Sequence, residues 1–225
     1  MPAPAAEPLS SSGPPPPPTG FDGVAWCYDA LAGLVFGPAL RNAQRAALAG
    51  LPPGAPHVLI LGGGTGWVLT EVLRRRPAAT ILYLEASPRM LARAATRLAR
   101  HNPAMQAQVE FRHGTQAALR PDETFDALIT FFVLDCVALP ELPAALNALA
   151  AARRPGSPWL LADFRPARHG WRRALLWLMY SFFRLTTGLR ARTLPHLEAE
   201  LAARGLRAAP RGTFFFGAAE AIVFS

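Results

Sequence analysis

Short apolar runs alternate with helical repeats along most of the chain. A run of consecutive apolar residues bounded by turn residues is typical of a strand buried on both faces. Between these runs, apolar residues recur every three or four positions, which is the spacing of one helix face. The segments with the strand pattern are 58–61, 80–84, 109–112, 125–132, 159–164, 207–216 and 220–224.

The order of these elements predicts the fold class. Helical patterns separate the first five strands, and Ser87-Pro88 marks one helix start with an N-cap serine and a proline in the first turn. Further helices are predicted over 87–100, 141–153 and 194–204. A Gly-Ala-Ala link joins the last two strands and is short enough to demand antiparallel pairing. We therefore expect an α/β fold with a doubly wound, mostly parallel seven-stranded sheet and an antiparallel C-terminal hairpin.

The ends of the chain differ from this core. Residues 1–20 are rich in proline, cannot bury apolar surface, and are predicted to be a disordered tail. Residues 21–225 then form one domain. Within it, residues 21–54 contain two helical patterns, over 21–37 and 38–49, and are predicted to be a helical cap over a ligand cleft. Tyr28-Asp29 is the polar pair expected to point into that cleft, and packing of the tyrosine between helices is the alternative.

A glycine cluster follows the first strand. Gly62, Gly63, Gly64 and Gly66 allow a sharp turn and let backbone amides approach a ligand closely. The next helix begins at this turn and directs its positive end at the gap. A strand, a glycine turn and a helix in this order are typical of a nucleotide site at the carboxyl end of a parallel strand. A tight turn without a ligand is the alternative.

An acidic residue lies at the matching distance. Glu85 ends the second strand, about twenty residues after the glycines. In nucleotide-binding βαβ units, an acid at this point accepts hydrogen bonds from ribose hydroxyls. The two features together predict a nucleoside-binding crevice.

Within the segment 171–185, residues 174–183 are apolar on nearly every side, and arginines flank them at positions 172, 173 and 184. The segment is too short to cross a bilayer, which takes roughly 20 apolar residues. We interpret residues 170–190 as an apolar helix that forms a lid or part of the core, and a lipophilic substrate wall or contact with a membrane surface remain alternatives.

Composition adds limits on partners and location. The formal charge is +8, yet all 23 basic residues are arginines, scattered mostly at predicted helix ends, so nucleic acid is not the expected partner. Cys27 and Cys136 are the two cysteines and lack CxxC spacing, so neither a metal site nor a disulfide framework is indicated. With no secretory signal pattern, we expect a cytoplasmic protein, with a peripheral membrane location as the alternative. The oligomeric state is not predicted.

Four segments resemble the signature segments of class I S-adenosylmethionine-dependent methyltransferases: VLILGGGTG, ILYLEAS, FDALITFFVLD and RRPGSPWLLADF. The resemblance covers about Tyr28 to the C-terminus and implies a Rossmann-like methyltransferase fold with S-adenosyl-L-methionine as cofactor. The Tyr28-Asp29 segment is similar to small-molecule methyltransferases of the quinone-methylating type. The resemblance implies a cofactor site in which the glycines wrap the methionine portion, Glu85 holds the ribose and Met90 lies near the adenine. The cofactor-binding residues so implied are Gly62, Gly64, Gly66, Glu85, Met90, Thr115 and Tyr28.

Two positions depart from the family pattern. Ile60 stands two positions before the first glycine, where the family usually has an acidic residue that orients the cofactor's ammonium group. Gly114-Thr115 takes the place of an acid that binds the adenine amino group, so Thr115 offers its hydroxyl or leaves recognition to the backbone. Cofactor affinity is the property that these departures put in question.

Methyl transfer to an acceptor needs alignment above all, and a general base only where the acceptor must lose a proton. His113, Asp135, Tyr28 and His169 are the candidate bases, each with a structural role as the alternative. His113 and Asp135 rank first as catalytic residues because each follows a strand end. The apolar segment favours a small, lipophilic or aromatic acceptor.

Four other functions fit the sequence less well. Aminopropyltransferases share an apolar residue before a triple glycine, but they carry an Asp-rich segment where this chain has only Asp135. The loop lacks the GxGxxG spacing of dinucleotide reductases, because position 67 is Trp. Nucleic-acid methylation is favoured only by charge. A non-catalytic, membrane-associated module on the same fold remains an alternative.

Overall fold

A computed structural model of the chain describes residues 38–165 and 196–225. Several predicted features therefore lie outside the described residues, namely the tail over 1–20, the first helix of the cap, Tyr28, His169 and the apolar segment over 171–185. None of the helices within the described ranges has the length and apolarity that crossing a membrane requires.

The described part of the chain forms a seven-stranded sheet in the order β3-β2-β1-β4-β5-β7-β6. Strands β1 to β5 are parallel, and β7 is antiparallel to both of its neighbours. This confirms the predicted doubly wound sheet with its antiparallel hairpin. The strands are β1 (His57–Leu61), β2 (Thr80–Glu85), β3 (Val109–His113), β4 (Ala127–Phe131), β5 (Trp159–Phe164), β6 (Ala208–Phe214) and β7 (Ala219–Phe224).

Five described α-helices cover the sheet in two layers. They are α1 (Ala39–Ala47), α2 (Trp67–Arg75), α3 (Pro88–His101), α4 (Leu142–Ala151) and α5 (Leu197–Ala202). The apolar sides of α1, α2 and α3 pack on one face, and those of α4 and α5 on the other. Because both faces are covered, every residue of β4 and β5 is buried, which explains their unbroken apolar sequences.

Helix α1 packs against β5, β7 and β6, at one end of the sheet. Its buried residues are Ala43 and Ala47, small side chains that allow close approach to the strands. Gly50 continues this contact, since a Cβ atom there would lie 2.7 Å from the side chain of Val223. The role of residues 21–54 as a cap stays a prediction, because the larger part of that segment precedes the described residues.

Three predicted elements are longer than the observed ones. Strand β4 was predicted over 125–132, but Phe132 ends it with a positive φ of 52°. Strand β6 was predicted over 207–216, and Phe215 and Phe216 leave it with φ values of 48° and 55°. Helix α5 is shorter than the predicted 194–204. Apolar residues continue past the ends of β4 and β6, so the hydrophobic pattern carries no signal for these turns.

Candidate functional site

The sheet reverses its strand order at β1, which pairs with β2 on one side and with β4 on the other. In open α/β sheets, ligands bind in the crevice beyond the carboxyl ends of the strands at such a switch point. The glycine turn follows β1, Glu85 ends β2, and the segment 132–136 follows β4. The predicted site residues of these three strands therefore meet at one edge of the sheet.

The glycines of the turn serve different purposes. Gly62, Gly64 and Gly66 all have positive φ, at 66°, 61° and 89°. A Cβ atom on Gly62 would collide with the side chain of Val133, and one on Gly66 would lie 2.8 Å from Cα of Ala94 in α3. A Cβ atom on Gly64 would meet nothing closer than Met90 Sδ at 3.9 Å. Gly62 and Gly66 thus allow close packing, whereas Gly64 borders open space where a ligand fits.

Tyr83 holds the glycine turn from below. Its side chain is completely buried, and Oη donates a hydrogen bond to the carbonyl oxygen of Gly64 at 2.9 Å. Gly62 donates its N–H to the carbonyl oxygen of Leu84 at 2.8 Å, which ties the turn to β2 a second time. The sequence analysis missed Tyr83, for which the available signal was a single phenol within an otherwise aliphatic strand.

Glu85 closes the turn from the side of β2. Its side chain is buried, Oε2 accepts from the N–H of Gly64 at 2.9 Å, and Oε1 accepts from the N–H of Ser87 at 2.9 Å. Burial raises the pKa of this carboxyl group, and the hydrogen bonds from Ser87 and Gly64 oppose that shift. The backbone N–H of Ala86 is a third donor to this carboxylate. A carboxylate has about four acceptor positions, so one remains for a ligand hydroxyl.

The other predicted cofactor residues lie at this same edge. Met90 is buried in the first turn of α3, with Sδ facing the space beside Gly64. Thr115 is exposed, and Oγ1 already accepts the N–H of Ala117 at 3.4 Å, capping a short 3₁₀ helix. His113 is exposed at the end of β3, and Nε2 donates to the carbonyl oxygen of Ala86 at 2.9 Å. His113 therefore stands on the Glu85 side of the crevice, away from β4.

Asp135 lies on the opposite side, in the 3₁₀ helix Leu134–Cys136 that follows β4. Its side chain is 5% exposed, and the thiol of Cys136 donates to Oδ1 at 3.4 Å. Burial and the charge of Asp135 raise the pKa of that thiol. At the end of the neighbouring strand β5, Asp163 is also buried. The two candidate bases are thus separated by the crevice, and Asp135 is the one beside β4 and β5.

Ile60 shows where the family pattern is broken. Its side chain is completely buried in the apolar cluster beneath α2 and α3, so it offers the crevice no charge. The open edge at Gly64 and the buried acceptor Glu85 nevertheless fit a nucleoside cofactor of the kind that the sequence implies. Gly64 and Glu85 are the residues that would hold it.

Comparison with known proteins agrees with this geometry. A family model described as a methyltransferase domain matches residues 58–156. No curated protein sequence matches the chain. Among solved structures, an O-methyltransferase family protein from Burkholderia thailandensis superposes with a TM-score of 0.65 at 18% identity, covering 91% of this chain and 57% of that one.

Two further structures are similar. An O-methyltransferase family 2 protein from Planctomyces limnophilus, in complex with apigenin, has a TM-score of 0.68 at 19% identity over 91% of this chain and 62% of its own. The DhpI–SAH complex has a TM-score of 0.61 at 20% identity over 91% of this chain and 92% of its own. The chain spans about three fifths of the length of several of these structures, including those two O-methyltransferase family proteins.

The family match begins in β1, includes the glycine turn and Glu85, and ends just before β5. Strands β5, β6 and β7 complete the seven-stranded sheet of this chain, whose fold is similar to that of the superposed structures. Residues 58–156 therefore match a methyltransferase domain, and the seven-stranded sheet has the fold of the similar O-methyltransferase structures.

Proposed function

We propose that the protein transfers the methyl group of S-adenosyl-L-methionine to a small lipophilic or aromatic acceptor. The observation that carries this proposal is the closure of the glycine turn on Glu85, at the strand-order switch of a sheet matched by the methyltransferase model. When bound, the cofactor supplies a methyl group on a sulfonium, which a nucleophile can take directly.

Each residue of the crevice would contact a different part of the cofactor. Glu85 would accept hydrogen bonds from the ribose hydroxyls, with its orientation fixed by Gly64 and Ser87. Gly64 would leave room for the methionine portion, and Met90 would border the adenine. Fixed donors and acceptors of this kind favour transfer because the reacting groups need no further ordering.

The acceptor side is expected at the ends of β4 and β5. The rings of Phe132 and Phe164 lie there with centroids 5.0 Å apart, and Asp135 follows close in the chain. Two phenylalanine rings with the Asp135 carboxyl group nearby suit an acceptor that is flat and carries a hydroxyl group. Asp135 would take the proton of that hydroxyl, while the phenylalanines would exclude water. One structurally similar protein is in complex with apigenin, which is consistent with an aromatic acceptor.

Transfer of labelled methyl groups from S-adenosylmethionine to cell extract tests this function. Label that partitions into organic solvent supports a lipophilic acceptor, and label that stays with nucleic acid or protein contradicts it. Liposome flotation tests the alternative of a membrane-associated module. Binding of S-adenosylhomocysteine without any turnover would instead indicate a non-catalytic domain. Ile60 is the reason for this test, because methyltransferases of this family usually have an acidic residue at that position.

A cytoplasmic location stays a prediction. Fractionation of cells that express the full chain would test it, with membrane-bound protein as the contradicting result.

A further inference from the structure

Asp163 is a buried acid to which the sequence assigned no role. It occupies the carboxyl end of β5, opposite Glu220 of β7 in the strand register. Its side chain is 1% exposed, the lowest exposure of any buried acid in the described residues. A carboxyl group at this depth must be either satisfied by donors or neutral.

The hydrogen-bond donors around Asp163 reach only one of its two carboxyl oxygens. Oδ1 accepts the N–H of Phe164 at 2.8 Å, and the backbone N–H of Asp135 also donates to the carboxyl group. Oδ2 has no hydrogen-bond partner in the described part of the chain. A neutral oxygen left in this way costs about 1–3 kcal/mol, whereas an unpaired buried charge costs far more.

Within residues 38–165 and 196–225, the charged groups that act on Asp163 are acidic. Asp135 approaches from the 3₁₀ helix after β4, together with the thiol of Cys136, and Glu220 approaches from β7. Arg165 follows β5 in the chain, and its Nε lies 3.1 Å from Oε2 of Glu220, so this cation pairs with Glu220. Burial and the charge of Asp135 both raise the pKa of Asp163.

We propose that Asp163 stays protonated at neutral pH, so that the single negative charge of the Asp135–Asp163 pair resides on Asp135. Two neighbouring buried carboxyl groups do not both ionise readily, and they titrate as a pair. Asp135 lies in the 3₁₀ helix that borders the crevice. It is 5% exposed, whereas Asp163 is 1% exposed. Asp163 is then a positioning residue, which holds the backbone of Asp135 without competing for its charge.

This assignment deepens the proposed function and rests on it for its chemical consequence. As the acceptor oxygen bonds to the methyl carbon and the carbon–sulfur bond breaks, the acceptor's proton passes to the ionised Asp135. The spent cofactor would be a neutral sulfide, and Asp135 would release the proton to water.

Carbon-13 NMR of the full chain with labelled aspartate carboxyl carbons tests the charge assignment without any need for turnover. At pH 7 we expect the resonance that disappears in D163N to be that of a protonated carboxyl group, and the one that disappears in D135N to be ionised. The reverse pattern, or two ionised groups, would overturn the proposal. Because this measurement requires no acceptor, the proposal and the proposed function can fail separately.

Kinetics of two substitutions test the positioning role. We expect D163A to lower kcat about a hundredfold, since the loop that carries Asp135 loses its support. D163N should recover most of that loss, because an amide imitates a protonated carboxyl group in shape and neutrality. If D163A does not fold, the comparison of D163N with D135N decides: a kcat for D163N as low as that for D135N would contradict a neutral Asp163.

Discussion

The phenol of Tyr83 donates a hydrogen bond to the carbonyl oxygen of Gly64, 2.9 Å away. The same glycine donates its N–H to Glu85, so β2 holds both backbone polar groups of one residue of the turn. A ring beneath the turn also leaves no space for a side chain at Gly63, where a Cβ atom would lie 2.5 Å from the ring. The shape of the crevice therefore depends on Tyr83 as much as on the glycines.

Replacing Tyr83 by Phe tests this dependence. Loss of the hydroxyl leaves a carbonyl oxygen with one partner fewer, which costs about 1 kcal/mol of unfolding free energy. We also expect S-adenosylhomocysteine to bind several-fold more weakly, measured by calorimetry. T96A removes a hydroxyl from the exposed face of α3, where Oγ1 donates to Ala92 in the same helix, and serves as the control. Unchanged affinity in Y83F would show that the turn holds its shape alone.

The glycines should respond differently to alanine. At Gly64 there is room for a methyl group, so G64A should fold with a strain cost of about 1–2 kcal/mol from its positive φ. The methyl group would occupy the crevice, and cofactor affinity should fall sharply. At Gly66 the methyl group would meet Cα of Ala94 at 2.8 Å, so G66A should mainly lower the melting temperature. Equal melting temperatures for the two variants would contradict this division.

Substitutions of the two candidate bases, Asp135 and His113, are expected to change different kinetic quantities. D135N should lower kcat about a hundredfold or more if Asp135 takes the acceptor's proton. H113A should act mainly on cofactor binding, because His113 bonds to the peptide of Ala86 next to Glu85. H101A, at the exposed end of α3, is the control histidine. A larger loss of kcat in H113A than in D135N would reverse the assignment.

Acid stability should depend on Glu123. The Arg112 guanidinium, with N–O distances of 2.6 and 2.9 Å, lowers the pKa of Glu123 from 4.5 to about 2. Because the folded pKa is below the unfolded one, this pair stabilises the protein above pH 4.5, and the contribution is lost as the pH falls towards 2. E123Q should lose roughly 1–3 kcal/mol at pH 7 and unfold with a shallower dependence on pH in that window. Urea unfolding at several pH values measures this.

Glu110 offers the matched comparison for that experiment. It also pairs with Arg112, at 2.6 Å, but its side chain is 55% exposed, so solvent screens the interaction. E110Q should therefore change stability less than E123Q at every pH. The opposite order would mean that the exposed pair dominates.

Much of this site followed from local patterns. The glycines and Glu85 were predictable because each closes its own apolar strand, and the direction of a parallel sheet brings strand ends to one edge. The role of Tyr83 was not predictable. Its hydrogen bond to Gly64 joins residues 19 positions apart and requires the Tyr83 side chain to lie on the face of the sheet that supports the glycine turn.

Asp163 was missed for a related reason. Asp163 lies near the end of an apolar strand, as Glu85 does. Its protonation state, however, depends on Asp135, which the loop after the neighbouring strand β4 brings close to it. The pattern of one segment contains no record of that contact. The turns at Phe132 and Phe215 were also hidden, since their positive φ values oppose what an apolar residue predicts.

Strand β7 has a consequence for synthesis of the protein. It lies between β5 and β6, yet both of these precede it in the chain. On the ribosome, the outer edge of β5 therefore stays unpaired until residues 219–224 have emerged, and β6 waits without a partner. Apolar strands with open edges are prone to pair with other chains, so this nascent chain should benefit from a chaperone until the last gap in the sheet is filled.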